Sequence, residues 1–296
     1  MKFGFVAVIG RPNVGKSTLV NALCASKVAI VSPVAQTTRT ALRGIVNTDD
    51  AQLVLVDTPG IHKPQTLLGS RLNDLSRRML GEVDAVAFVV DVAGGIGRGD
   101  KMLAGWLPDD APVVCVLNKT DRADPAAIAR GIEEATTLRG PDTEFRAFVP
   151  TSARDGDGID ALRAELVDLL PEGDAMFPAD MPTDQSERHL VAELVREQLL
   201  LRTRDEIPHS IAVIVDDVEG LDDPETVVRF ECVVYVERES QKGIVIGKGG
   251  GLLKEAGQAA RGQIEALLGR HVYVGLKVKV SKEWQRRGEL LNRLGY

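Results

Sequence analysis

The run GRPNVGKST, Gly10 to Thr18, constrains this chain more than any other stretch of its length. It satisfies G-x-x-x-x-G-K-[ST] in full, follows the apolar run FGFVAVI and precedes the helical pattern STLVNALC. A phosphate-binding loop needs that setting, because its backbone wraps phosphate oxygens where a strand ends and a helix begins. Gly10, Arg11, Pro12, Asn13, Val14 and Gly15 form the expected cradle. Lys16 is placed to neutralise the β- and γ-phosphates, and the Ser17 hydroxyl, followed by Thr18, to ligate Mg²⁺.

The surrounding pattern agrees. FGFVAVIG, AQLVLVD, DAVAFVVDV, APVVCVLN and FRAFVPTS read as buried strands, with helical segments such as DPAAIARGIEEATTL and GIDALRAELVDLL among them. Near-continuous apolar strands alternating with helices predict a doubly wound, mostly parallel α/β domain over residues 1–171. RTALRGIVNT is a candidate antiparallel edge strand. The proline- and acid-bearing stretch around residues 172–184 reads as a linker. Residues 185–296 then follow the order α-β-β-α-α-β, a small α+β domain. In HVYVGLKVKVS, Val272, Val274, Leu276, Val278 and Val280 share one face.

Three dispersed cysteines in apolar segments suggest reduced core thiols rather than a disulfide framework or a metal site. No apolar run approaches the length of a membrane helix, and the first residues do not read as a signal peptide. The net charge of −7 argues against a uniformly basic nucleic-acid binder. Its distribution is uneven, however. Residues 205–237 carry ten acidic side chains against one basic, whereas residues 238–296 carry twelve basic against five acidic. A basic tail on an acidic chain points to a local anionic partner.

Three further segments specify the nucleotide. NKTD, Asn118 to Asp121 and including Lys119, ends a predicted strand about a hundred residues after the phosphate loop. The Asp121 carboxylate can accept from N1–H and the 2-amino group of guanine, a donor pair that adenine lacks. TSA, with Ser152 and Ala153, closes another strand and can offer backbone N–H to guanine O6. In DTPG, Asp57 is placed to hold Mg²⁺ through water, Thr58 and Pro59 shape the turn, and Gly60 N–H faces the γ-phosphate. AQTTRT lies between, in a candidate switch loop. Thr37 or Thr38 completes the Mg²⁺ shell, Thr38 being favoured, and Arg39 is expected at the surface.

A second glycine-rich stretch, QKGIVIGKGGGLLKEAG, misses the phosphate-loop spacing by one residue and has Gly249 where a hydroxyl belongs. It sits between two helical patterns, with Lys248 and Lys254 nearby.

GRPNVGKST, QTTR, DTPGIHKP and NKTD together resemble the bacterial Era family of GTPases, and with the second half included the resemblance covers nearly the whole chain. It implies GTP/GDP with Mg²⁺ as ligands, and Lys16, Asn13, Thr38 and Gly60 in the hydrolytic step. Ile61 stands where Ras-like GTPases carry a water-orienting glutamine. In related GTPases with an apolar residue there, the loop asparagine supports a K⁺ ion. Asn13 is therefore a candidate K⁺ ligand, the alternative being that it satisfies loop backbone. The second half is similar to a KH domain of the bacterial type II, with Gly247, Lys248, Gly249 and Gly250 as its G-x-x-G loop. Lys254, Lys282, Arg286 and Arg287 are the accompanying RNA contacts, while Trp284 is expected to pack. The resemblance further implies the 3′ end of 16S rRNA and the small ribosomal subunit as partners. It also implies a monomer in the cytoplasm, with peripheral contact at the inner face of the cell membrane. Two competing readings are an RNA-binding assembly factor with structural nucleotide, and a membrane-associated growth regulator.

Overall fold

The computed structural model of the chain describes residues 1–296 apart from 36, 61–63, 141–142, 222 and 224–225. It divides into two compact units. The first comprises residues 1–29, 38–65 and 69–184, and the second residues 30–37, 66–68 and 185–296.

In the first unit the chain runs β1 (Lys2–Gly10), α1 (Lys16–Cys24), β2 (Leu42–Asn47), β3 (Ala51–Asp57), α2 (Leu67–Leu80), β4 (Ala85–Asp91), α3 (Arg98–Ala104), β5 (Val113–Asn118), α4 (Pro125–Thr136), β6 (Ala147–Thr151) and α5 (Ile159–Asp168). The sheet order is β2-β3-β1-β4-β5-β6. All its pairs are parallel except β2 with β3, so RTALRGIVNT does supply the antiparallel edge. Alternation along β1 sends Val6 and Val8 to the face covered by α1 and α5, and Ala7 and Ile9 to the face covered by α2, α3 and α4. Both faces are dry, which is why these strands read as continuous apolar runs. The strand order reverses at β1, and the loops after β1, β3 and β5 open at its carboxyl end, where ligands bind in such sheets.

The second unit contains α6 (Glu187–Arg202), α7 (Ile207–Ser210), β7 (Ala212–Glu219), β8 (Val228–Val236), α8 (Glu239–Ile246), α9 (Gly251–Leu268), β9 (Val272–Val280) and α10 (Gly288–Arg293). Its sheet is β7-β8-β9, antiparallel then parallel. Val191, Val195 and Leu199 of α6 and Ala256, Ala260 and Ile264 of α9 pack on Phe230, Cys232 and Val234 of β8. The alternating residues of β9 from Val272 to Val280 join that core, while Lys277 and Lys279 are exposed. Trp284 packs as expected: it is fully buried and donates its indole N–H to Ser210 O at 2.8 Å.

Two segments fall elsewhere than pattern alone suggests. Residues 172–184 are strapped to the first unit rather than hanging free. Ile45 N–H donates to Pro182 O at 2.9 Å, Gly44 bridges Thr183, and Arg43 pairs with Asp184 at 2.7 Å. The fully buried Gln52 amide donates to Phe177 O at 2.8 Å and accepts from Met176 N–H at 2.9 Å. The physical reason is the edge position of β2, whose outward backbone groups need partners that this segment supplies. Conversely, residues 30–37 belong with the second unit, where Ile30 enters the core and Val34 packs against it.

No helix among the described residues is long and apolar enough to cross a membrane.

Candidate nucleotide and RNA sites

The phosphate loop joins β1 to α1. Gly15 caps that helix at φ 101°, ψ 22°, a conformation that leaves the first N–H groups of α1 facing the loop. Lys16 is buried, and its ammonium donates to Gly10 O at 3.0 Å and Arg11 O at 3.1 Å. Burial lowers its pKa from 10.5 to about 8, against the opposing pull of Asp57. An ammonium held among carbonyls in this way gains its natural counter-charge from a phosphate. Asn13 is exposed at φ 64°, with its carbonyl accepting from Lys119 Nζ at 2.6 Å.

Three oxygens converge beside the loop. Ser17 Oγ donates to Asp57 Oδ2 at 2.7 Å and lies 3.0 Å from Thr38 Oγ1, which is itself 3.2 Å from Asp57 Oδ2. Asp57 is fully buried, and its Oδ1 has no hydrogen-bond partner among the described residues. Burial raises its carboxyl pKa, opposed by Lys16, Ser17 and Thr38. A buried carboxylate with an orphaned oxygen, flanked by two hydroxyls, is the hard-oxygen set that suits Mg²⁺. Thr37 is turned to other work, its hydroxyl donating to Val34 O at 2.7 Å and lying 2.6 Å from Ser32 Oγ. Thr58 is committed to Val8 O at 2.9 Å, holding the DTPG turn on the sheet. A Cβ built on Gly60 would lie 3.1 Å from Pro12, so this turn closes directly onto the phosphate loop. Ile61, which follows, lies outside the described residues.

The base-recognition segments meet at the ends of β5 and β6. Asn118 Nδ2 donates to Val14 O at 2.8 Å, and Asn118 Oδ1 accepts from Ala153 N–H at 3.1 Å. Ser152 Oγ donates to Asp121 Oδ1 at 3.0 Å, which aims the carboxylate that would read guanine. Lys119 sits at φ 68°, and its ammonium pairs with Asp91 Oδ2 at 2.6 Å.

Two acidic side chains therefore matter that sequence reasoning passed over. Asp91 at the end of β4 holds Lys119. The fully buried Asp100 accepts from Arg11 Nε at 2.8 Å and from Gly97 N–H at 2.8 Å, tying the phosphate loop to the start of α3. The position of Asp91 at a strand end beside the loop was the available signal; Asp100 offered none. Arg39 differs from expectation: it is 3% exposed. The described residues from Val34 to Leu42 are all at least half-buried, so this segment runs against protein rather than over solvent.

In the second unit, the G-x-x-G loop joins α8 to α9. Gly247 adopts φ 75°, ψ 172°, and a Cβ there would lie 2.8 Å from that of Leu252. Gly249 and Gly250 also have positive φ, at 59° and 79°, so glycine at both positions matches a left-handed backbone. Lys248, Lys254, Lys282, Arg286 and Arg287 are all exposed. The result is bare, kinked backbone at the start of a long helix, with the exposed Lys248 within it and Lys254 in the first turn that follows.

Comparison with known proteins gives a consistent answer. A family of 50S ribosome-binding GTPases matches residues 5–119, and the KH domain family matches residues 206–285. GTPase Era of Mycobacterium sp. (strain JLS) is 47% identical over 99% of this chain and 98% of its own. GTPase Era of Nocardioides sp. is 48% identical over 99% and 96%. Among solved structures, a variant of Aquifex aeolicus Era bound to GDP·AlF₄⁻ superposes with a TM-score of 0.95 at 39% identity, covering 100% of this chain and 99% of that one. An Era complex with MgGDPNP and nucleotides 1506–1542 of 16S ribosomal RNA gives the same TM-score of 0.95 at 40% identity and the same coverage, 100% and 99%. Two domain families in order, and relatives of that identity spanning both, place the chain in the Era family of GTPases, each with a phosphate-loop domain followed by a KH domain.

Proposed function

We propose that the chain is a GTP-hydrolysing switch whose second unit binds the 3′ region of 16S rRNA, and that it acts in the cytoplasm in maturation of the small ribosomal subunit. One observation carries this reading: a relative of the same fold holds MgGDPNP together with nucleotides 1506–1542 of 16S RNA. The roles follow from the residues. Asp121 reads the guanine edge, and Ala153 N–H meets its O6. Asn118 holds both segments to the phosphate loop. Lys16 transfers its ammonium from the Gly10 and Arg11 carbonyls to phosphate oxygens. Ser17 and Thr38 hold Mg²⁺ directly and Asp57 through water; bound there, Mg²⁺ neutralises charge that develops on the phosphates during cleavage. Gly60 N–H reports the γ-phosphate.

An alkyl side chain at Ile61 cannot orient water, so hydrolysis rests on Lys16, backbone donors and bound cations. Unassisted turnover is then slow, about 10⁻⁴–10⁻² s⁻¹. In the second unit, Gly247 to Gly250 admit a sugar–phosphate backbone at close range, a loop of this kind clamping about four nucleotides. Lys248, Lys254, Lys282, Arg286 and Arg287 extend that contact along the strand. The same basic tail supports peripheral contact with anionic membrane, which sedimentation with anionic liposomes at physiological salt tests directly.

The paired change Gly247→Asp, Gly250→Asp tests the assignment of the two loops. It places carboxylates against the RNA backbone, and the expected result is loss of binding to a 3′-terminal 16S fragment with GTP binding retained. Loss of both activities, or of neither, contradicts it.

A further inference from the structure

The connection from β4 to α3 carries the run GIGRGD, Gly95 to Asp100. It builds a slot for the side chain of Arg11, the second residue of the phosphate loop. Asp100 is fully buried and accepts from Arg11 Nε at 2.8 Å, while the Gly95 carbonyl accepts from Arg11 Nη2 at 3.0 Å. Asp100 is itself fixed, because its other oxygen accepts from Gly97 N–H at 2.8 Å. Gly99 gives the arginine stem its room. A Cβ there would lie 2.5 Å from Arg11 Cδ and 3.1 Å from Arg11 Cγ, inside the contact distance of packed carbons.

A guanidinium gripped at two nitrogens, by a buried carboxylate and a carbonyl, has little rotational freedom left. With its side chain engaged on α3, Arg11 offers the cradle its backbone. The Arg11 carbonyl accepts from Lys16 Nζ at 3.1 Å, and Pro12, next in the chain, is where the Gly60 turn closes on the loop. A second pin follows at Asn13, whose carbonyl accepts from Lys119 Nζ at 2.6 Å. Lys119 is held by Asp91 Oδ2 at 2.6 Å, and Asp91 Oδ1 accepts from Gly94 N–H at 2.9 Å. The loop is thus fastened at Arg11 and at Asn13, both times from the end of β4 and the connection after it.

Backbone that must wrap phosphate oxygens binds them more tightly when its shape exists beforehand, since less ordering remains to be done on binding. We propose that Arg11 and Asp100 are positioning residues for the phosphates of the nucleotide: locked in the slot beside Gly99, Arg11 keeps the phosphate loop in its wrapped shape before nucleotide arrives. The pin acts on the phosphate grip and not on the base, whose reader Asp121 is aimed separately by Ser152. This rests on reading Gly10 to Thr18 as the phosphate site.

Three full-length variants test it. Gly99→Ala leaves every charge in place and suits the helix, where alanine is favoured over glycine, but its methyl displaces the Arg11 stem. Arg11→Lys keeps a cation for Asp100 and loses the fork. The double change Arg11→Met, Asp100→Asn removes both charges together, so neither is left unpaired. Competition binding gives affinities for GDP, GMP and inosine diphosphate, and the thermal midpoint without nucleotide shows that each variant is folded. Loss of a charged hydrogen bond predicts GDP affinity lower by about 10- to 100-fold in the double change, with the two single changes between it and the parent. GMP, with one phosphate fewer in the grip, loses less, so the preference for GDP over GMP shrinks. The preference for GDP over inosine diphosphate, a matter of the base, stays within about twofold of the parent. Adding Gly99→Ala to the double change costs nothing further, because both act through Arg11. Unchanged GDP affinity in the folded Gly99→Ala and double-change proteins overturns the proposal. So does a GDP-to-GMP ratio equal to the parent's with all three affinities lowered, which assigns the pair to overall stability. Lys16→Met separates the two levels of inference. If it too leaves GDP affinity unchanged, the phosphate site is misassigned; if it lowers that affinity and the Arg11 variants do not, only the positioning role falls.

Discussion

Asn118 fills the space that Gly15 leaves empty: a Cβ built on Gly15 would lie 2.3 Å from Asn118 Nδ2. The contact brings the end of β5 against the phosphate loop, where the same amide donates to Val14 O at 2.8 Å. Its oxygen accepts from Ala153 N–H at 3.1 Å, so one side chain joins the phosphate loop, the base-recognition loop and the segment after β6.

Asn118→Ala therefore removes both hydrogen bonds at once and leaves buried polar groups unpaired. We expect a loss of about 2–4 kcal/mol in urea unfolding, with guanine-nucleotide affinity falling alongside. A variant with parent stability would mean that the three segments hold each other without it.

Asp121 should set base preference through two hydrogen bonds, one of them to the 2-amino group. Inosine triphosphate lacks that group, so the parent is expected to favour GTP over ITP by about 10- to 100-fold. Asp121→Ala should weaken both and bring their ratio close to one. Competition binding measures this, and a preserved ratio would place guanine recognition elsewhere.

Asn13 projects from a left-handed loop position with its side chain exposed. If it supports a K⁺ ion beside the phosphates, turnover in K⁺ exceeds turnover in Na⁺ at equal ionic strength, and Asn13→Ala abolishes the difference. Equal rates in the two salts would leave Asn13 a backbone-satisfying loop residue.

The three thiols predict an alkaline weakness. Burial pushes Cys24, Cys115 and Cys232 from 9.0 up to about 12. Because the folded pKa is raised, the associated stability is complete below about pH 9 and is lost as pH rises towards 12. Each thiol contributes a slope of at most about 1.4 kcal/mol per pH unit in that window. Urea midpoints taken between about pH 8 and pH 10 should fall, and fall less steeply for Cys232→Ala. Identical slopes would exclude the thiols as the cause.

Much of the nucleotide site was legible because its chemistry is written in contiguous residues at strand ends. GRPNVGKST, DTPG and NKTD each carry their own geometry, and the sheet order only brings them together. Thr38 was favoured over Thr37 from the sequence, but the Ser32 and Val34 partners that engage the Thr37 hydroxyl had no signature there. The burial of Arg39, the strap of residues 172–184 and the membership of residues 30–37 in the second unit have no periodic signature. They arise from partners far away in sequence, such as Gln52 for Phe177 and Arg196 for Thr37. At the G-x-x-G loop, Gly249 stood out only as a missing hydroxyl, yet φ of 59° makes glycine the residue that backbone position favours.

The central claim is that GTP governs the RNA-binding unit. It is tested most directly by the affinity of the full-length chain for a 3′-terminal 16S RNA fragment, measured at one salt concentration with a non-hydrolysable GTP analogue and then with GDP. A switch predicts tighter binding with the analogue by about 5- to 150-fold, the range of ordinary allosteric coupling. Equal affinity in the two nucleotide states would contradict it and leave an RNA-binding protein whose nucleotide is structural.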